Sequence, residues 1–142
     1  MKTIITGGAG FIGCNAAAAL FAKPITVYGD GKQVRDVLFI DDLLDAYDAA
    51  FANIDRTRGM VYNIGGGPQN VMSLRQLLDF LSHKQNRAVP FACGDWRAGD
   101  QRVYVSNISK AKADFGWAPK IRTRQGLELL YDWVSANREL FR

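Results

Sequence analysis

The sequence predicts an α/β chain, and three observations carry that reading. A short apolar strand pattern, Lys2 to Thr6, runs directly into a glycine-rich turn and an alanine-rich helix. Extended and helical segments then keep alternating to the C-terminus. No internal repeat or low-complexity segment interrupts them, apart from the alanine run Ala16 to Ala19.

The elements follow in order. Gly7 to Gly13 forms the first turn, and Gly10 to Ala22 reads as a helix that alanine propensity favours and Pro24 stops. Ile25 to Tyr28 is a second strand, punctuated by Gly29, Asp30 and Gly31. Val34 to Ile40 is extended again, and Asp41 or Asp42 is placed to cap a helix with Leu43, Tyr47 and Phe51 on one face. Val61 to Ile64 reads as a strand ending in the triple Gly65, Gly66, Gly67. Ser73 and Gln76 have capping-box spacing, with Leu74, Leu77, Leu78 and Leu81 at helical intervals behind them. Strands are expected near Ala88 to Phe91 and Arg102 to Val105. A short helix from about Ser109 ends at Gly116, with Pro119 beyond it. A last helix from Thr123 turns Leu127, Leu130, Tyr131 and Val134 inward.

Composition narrows the function classes. With 142 residues, 48% of them hydrophobic and 23% charged, the chain has the make-up of one globular domain rather than a disordered segment. The longest apolar stretch, Ala16 to Ala22, falls far short of the roughly 20 residues a membrane span needs, and the start of the chain lacks a signal-peptide layout. A soluble, cytoplasmic protein with no membrane partner is expected. Cys14 and Cys93 match no metal or redox spacing and are expected as free thiols. The formal charge of +4 suits a phosphorylated small molecule, a nucleic acid or a mildly basic surface alike. The 18 basic residues form no block and no nucleic-acid module is recognisable, so nucleic acid is not expected as a partner. His83, alone at the end of a helix pattern, has no paired nucleophile or carboxylate motif and reads as solvated.

Thr6-Gly7-Gly8-Ala9-Gly10-Phe11-Ile12-Gly13 stands between a strand and a helix, the context a dinucleotide-binding turn requires. Its glycines would let the backbone approach a pyrophosphate at the positive end of the helix; the alternative is that they serve only the tight turn. Asp30 lies 17 residues beyond Gly13 at the end of a strand, close to the acidic position that holds an adenosine ribose in such folds. Either the strand-helix-strand unit is rebuilt around Asp30, or Ile25 to Tyr28 belongs with the later part of the chain.

The octet Thr6 to Gly13 resembles the signature of the extended short-chain dehydrogenase/reductase family, the NAD-dependent sugar-nucleotide epimerases and dehydratases. Gly31 to Leu43, Tyr62-Asn63-Ile64-Gly65-Gly66-Gly67, Arg97-Ala98-Gly99-Asp100-Gln101-Arg102 and Phe115-Gly116-Trp117-Ala118-Pro119 follow in that family's order. The resemblance implies a truncated Rossmann-like NAD(P)-binding fold. Residues 1–22 would be a remnant of the dinucleotide-binding domain and 23–142 the C-terminal substrate-binding region, together one compact unit. It implies NAD as cofactor, at Gly7, Gly10, Phe11, Ile12 and Gly13, with Asp30 added by the spacing alone as a stand-in for the acidic residue, and a nucleotide-diphosphate sugar as ligand, a CDP-sugar by preference. Arg35 and Arg97 match the arginines that pair with the diphosphate, and Asp100 matches the residue that accepts from the nucleotide ribose. Two guanidinium forks and a carboxylate suit a diphosphate and a diol; the same residues, with Asp36 and Arg102, would also suit a surface ion-pair network.

The resemblance also implies that a central piece is missing between Ala22 and Lys23, and with it the catalytic Ser or Thr and the Tyr-x-x-x-Lys pair. Tyr28 and Lys32 have that spacing, but Gly29-Asp30-Gly31 between them is a turn, whereas the pair must share one helix face. No catalytic residue is assigned, and turnover by the chain alone is not expected. A non-catalytic binding or assembly protein remains the alternative. The first strand would lose its neighbours with that piece, so a homodimer or strand-swapped oligomer is expected.

Overall fold

A computed structural model describes residues 25–141. The expected strand Lys2 to Thr6, the turn and helix that follow, the candidate cofactor residues Gly7, Gly10, Phe11, Ile12 and Gly13, and Cys14 lie outside the described residues. These divide into two compact units. One comprises 25–33, Ser73–Arg102 and 127–141, the other Val34–Met72 and Val103–Gly126.

In the first unit, strand β1 (Ile25–Tyr28) buries Ile25 and Val27 and exposes Thr26 and Tyr28, the period of two that a half-buried strand requires. It pairs in parallel with β4 (Phe91–Gly94), Ile25 opposite Phe91 and Tyr28 opposite Gly94. That second strand begins at the last residue of the expected span, Ala88 to Phe91. Pro90 offers no N–H to a ladder, and the Val89 N–H donates to Ser82 Oγ at 3.2 Å; pairing starts where the Pro90 carbonyl accepts from Ile25 N at 3.2 Å.

Helix α3 (Leu74–Gln85) begins as expected. Ser73 N donates to Gln76 Oε1 at 2.8 Å while Gln76 N donates to Ser73 Oγ at 3.3 Å, so two N–H groups with no partner inside the helix are satisfied reciprocally. Leu74, Leu77, Leu78 and Leu81 are all buried, and Asn86 closes the helix in the left-handed region at φ 50°. His83 is exposed in the last turn. Helix α5 (Thr123–Ala136), which enters this unit at Leu127, buries Leu127 and Val134 and half-buries Leu130 and Tyr131; a 3-10 turn follows at Arg138–Phe141.

The second unit holds a small sheet of order β3–β2–β5, built from β3 (Val71–Ser73, of which Val71 and Met72 lie in this unit), β2 (Val34–Asp36) and β5 (Val103–Tyr104). β5 runs parallel to β2 with Arg35 opposite Tyr104. β2 is shorter than the extended stretch to Ile40, because Ile40 already opens helix α1 (Ile40–Ala52). Neither Asp41 nor Asp42 caps that helix: extended Phe39 precedes it and makes no side-chain cap bond. Asp42 turns inward instead, 2% exposed, and its two carboxylate oxygens accept from Lys120 N at 2.9 Å and Ile121 N at 3.0 Å. The Asp42 carbonyl accepts from Trp117 Nε1 at 2.9 Å, so one residue ties α1 to the segment after helix α4 (Ser109–Phe115).

The core of this unit gathers Ala46, Ala111, Phe115 and Trp117, with Leu38, Tyr62 and Ile64 packed against it. Gly116, at φ 74°, ends α4 as its sequence position predicts. The expected strand Val61 to Ile64 has no ladder. The segment alternates like a strand, with Tyr62 and Ile64 half-buried and Val61 and Asn63 exposed, but the Val61 carbonyl accepts from Lys110 Nζ at 3.0 Å rather than from a neighbouring strand. A short helix α2 (Ile54–Thr57), which the sequence pattern did not signal, follows α1 after Asn53.

Candidate functional site

β1 and β4 are parallel, so both carboxyl ends emerge on the same side, where ligands of open α/β sheets bind. The turn after β1 is tightly built. Gln33, buried, donates from Nε2 to the Tyr28 carbonyl at 3.0 Å, and Arg75 on α3 donates from N to Gly31 O at 3.0 Å and from Nε to Asp30 O at 2.6 Å. Gly29 sits at φ 79°, and a Cβ there would lie 2.5 Å from Trp96 Cε2; only glycine lets the indole rest on this backbone.

The segment after β4 supplies the rest. The Arg97 guanidinium lies 3.8 Å from the Tyr28 ring centroid, and Arg102 lies 5.4 Å from that of Trp96. Stacking occupies the face of a guanidinium and leaves its in-plane N–H fork free for two oxygens of an anion. No carboxylate pairs with Arg97 among the described residues. Two aromatic side chains, 37% and 40% exposed, thus stand beside two cations at one sheet end, a surface suited to a flat base and a phosphate.

Of the residues singled out from sequence, Asp30, Arg97 and Asp100 belong to this unit, and Arg35 belongs to the other. Asp30 is exposed; its Oδ1 accepts from Lys32 N at 2.9 Å, and its second carboxylate oxygen makes no hydrogen bond among the described residues, so it fits an acceptor for ribose hydroxyls. The described partner of β1 is β4, so Asp30 lies in the turn after a strand that pairs within the C-terminal region. Tyr28 ends β1 and Lys32 lies past the turn, so these two do not share a helix face. No motif in the sequence marks Tyr28, Trp96 or Arg102 as site residues. The signal available for them was aromatic residues standing beside arginines at a strand end.

In the second unit, Arg35 is half-buried on β2 and donates from Nη1 to the Val34 carbonyl at 2.8 Å. The triple glycine has a structural role. Asp36 Oδ2 accepts from Gly67 N at 3.0 Å, and a Cβ on Gly66 would meet Val37 O at 2.1 Å, so that turn must lie flat on the backbone after β2. A cleft of about 420 Å³ opens in the same unit, with Asn70, Ser106, Lys112 and Arg122 in its wall; Gly66, Ala118 and Pro119 of the quoted motifs line it, but none of the candidate ligand or cofactor residues does. Burial first, then the hydrogen bond donated to Asp114 at 3.0 Å, pushes the Tyr62 phenol above its ordinary value. Among the described residues no helix is long and apolar enough to cross a membrane, and no group of three His, Cys, Asp or Glu is placed to hold a metal.

Known proteins match both the sequence and the fold. The model of the NAD dependent epimerase/dehydratase family matches residues 19–65. CDP-paratose 2-epimerase from Salmonella typhi is 40% identical over 114 residues, which is 80% of this chain and 34% of that protein. dTDP-glucose 4,6-dehydratase from Xanthomonas campestris pv. campestris is 35% identical over 130 residues, 86% of this chain and 36% of its own length. The crystal structure of UDP-glucuronic acid 4-epimerase from Bacillus cereus, in complex with UDP-glucuronic acid and NAD, superposes with a TM-score of 0.79 at 27% identity, covering 88% of this chain and 39% of that one. The chain therefore spans about a third of the length of the curated relatives it matches, and their names divide among CDP-, dTDP- and UDP-linked sugars. Motif order, sequence identity and the shared α/β fold together make this chain similar to the NAD dependent epimerase/dehydratase family over about a third of its relatives' length.

Proposed function

We propose that the chain binds a nucleotide-diphosphate sugar at the carboxyl ends of β1 and β4, without turnover of its own. The observation that carries this reading is Arg97 stacked 3.8 Å over Tyr28 with its fork unpaired among the described residues, beside Trp96 pressed onto Gly29. In this reading Arg97 holds the diphosphate, Asp100 accepts from the nucleotide ribose, and the exposed aromatic faces meet the base. A CDP-sugar is the preferred ligand, supported by the identity to the Salmonella relative.

NAD is the cofactor of this reading. Gly7, Gly10, Phe11, Ile12 and Gly13 would cradle its pyrophosphate, and Asp30 would accept from its adenosine ribose through the carboxylate oxygen that Lys32 leaves free. NAD, when bound, supplies a hydride acceptor. The chain's own residues bind and orient; no proton transfer is assigned to Tyr28 or Lys32, which stand on either side of a turn.

Calorimetric titration with a CDP-sugar tests the reading. Saturable binding is expected, weakened at least about tenfold by Arg97→Ala, as the loss of a charge-assisted hydrogen-bonded contact implies. Binding that Arg97→Ala leaves unchanged would remove Arg97 from the site.

A further inference from the structure

Helix α1 carries a second apolar face. Ile40, Leu44, Tyr47, Phe51 and, opening α2, Ile54 succeed one another at intervals of four, three, four and three residues, the spacing of a coiled-coil seam. This is not the face that packs on the core. Asp42 and Ala46 are 2% exposed on the opposite side, with Ala49 and Ala50 against the core cluster. The seam stands open: Leu44 is 54%, Tyr47 64%, Phe51 77% and Ile54 42% exposed. Side chains of this size offer on the order of 500 Å² at such exposures, in the range where contiguous apolar patches mark interaction sites.

The flanks of the seam indicate its occupant. One residue beyond Ile40, Tyr47 and Ile54 stand Asp41, Asp48 and Asp55, all exposed and all without a hydrogen bond or ion pair among the described residues. The other flank, Leu43, Ala50 and Thr57, is uncharged. A second copy of α1 is a poor match, because antiparallel pairing sets this acidic edge against itself and parallel pairing sets it against the uncharged edge. The edge is also local, since the chain as a whole carries a formal charge of +4.

We propose that α1 is the docking face for an amphipathic helix of a partner protein, whose apolar seam is edged by lysine or arginine. Leu44, Tyr47 and Phe51 interdigitate with the partner's apolar residues, and Asp41, Asp48 and Asp55 pair with its basic flank.

Fluorescence anisotropy with two labelled synthetic 21-residue helices tests it, both with a leucine-isoleucine seam, one edged by lysine and the other by glutamate. The lysine-edged helix should bind saturably and at least about tenfold more tightly than the glutamate-edged one. Phe51→Glu should abolish that binding, and the double variant Asp41→Lys, Asp48→Lys should reverse the preference, with circular dichroism matching the unaltered protein in both. Equal binding of the two helices, binding of neither, or binding that Phe51→Glu leaves intact would overturn the proposal. So would a sedimenting dimer that Phe51→Glu converts to monomer, which would assign the face to a second copy.

Discussion

Asp42 is legible in the sequence as an acid near the start of a helix, and that position predicts a cap. Its work is different, because its partners, the N–H groups of Lys120 and Ile121, lie 78 and 79 residues away and nothing local announces them. Asp42→Ala would leave two backbone donors without acceptors at a buried position and should cost about 2–4 kcal/mol, read as a lower urea midpoint. Asp42→Asn, which keeps one carbonyl acceptor, should fall between. Gly29 makes the same point at the proposed nucleotide site. The sequence marks it as turn punctuation, whereas its absent side chain is what admits Trp96. Gly29→Ala combines strain at φ 79° with a clash on the indole, so it should both destabilise the fold and weaken nucleotide binding.

Helices were legible at the scale of the element, because their signals are local. The capping box of α3 and the glycine closing α4 are written within a few residues of the ends they form. Ser73→Ala should lower stability by about 1 kcal/mol, measured by the same urea titration, since it orphans Gln76 N. Strands were less legible, because a strand needs a partner that the sequence does not name. Residues 61–64 alternate correctly and still make no ladder, while β4 is displaced by the missing N–H of Pro90. The irregular segment after α2 is held by side chains instead, including Tyr62 on Asp114. Asp114→Asn should lower the Tyr62 phenol toward its ordinary value in an ultraviolet-difference titration, though not all the way, because burial, the largest single cause of its rise, remains.

For the whole molecule, the family was legible from four ordered motifs, and the similarity to known epimerases and dehydratases agrees with them. The candidate ligand site was half legible. A motif marks Arg97 and Asp100, but Tyr28 joins Trp96 and Arg97 only because β1 and β4, more than sixty residues apart in the chain, lie in parallel register. The proposed ligand site therefore rests on that strand end more than on any single motif. Titration of the protein with a CDP-sugar by calorimetry, repeated on Arg97→Ala, tests this most directly. Saturable binding that falls at least about tenfold in the variant is the predicted result; heat no greater than dilution, or identical binding by both proteins, would contradict it.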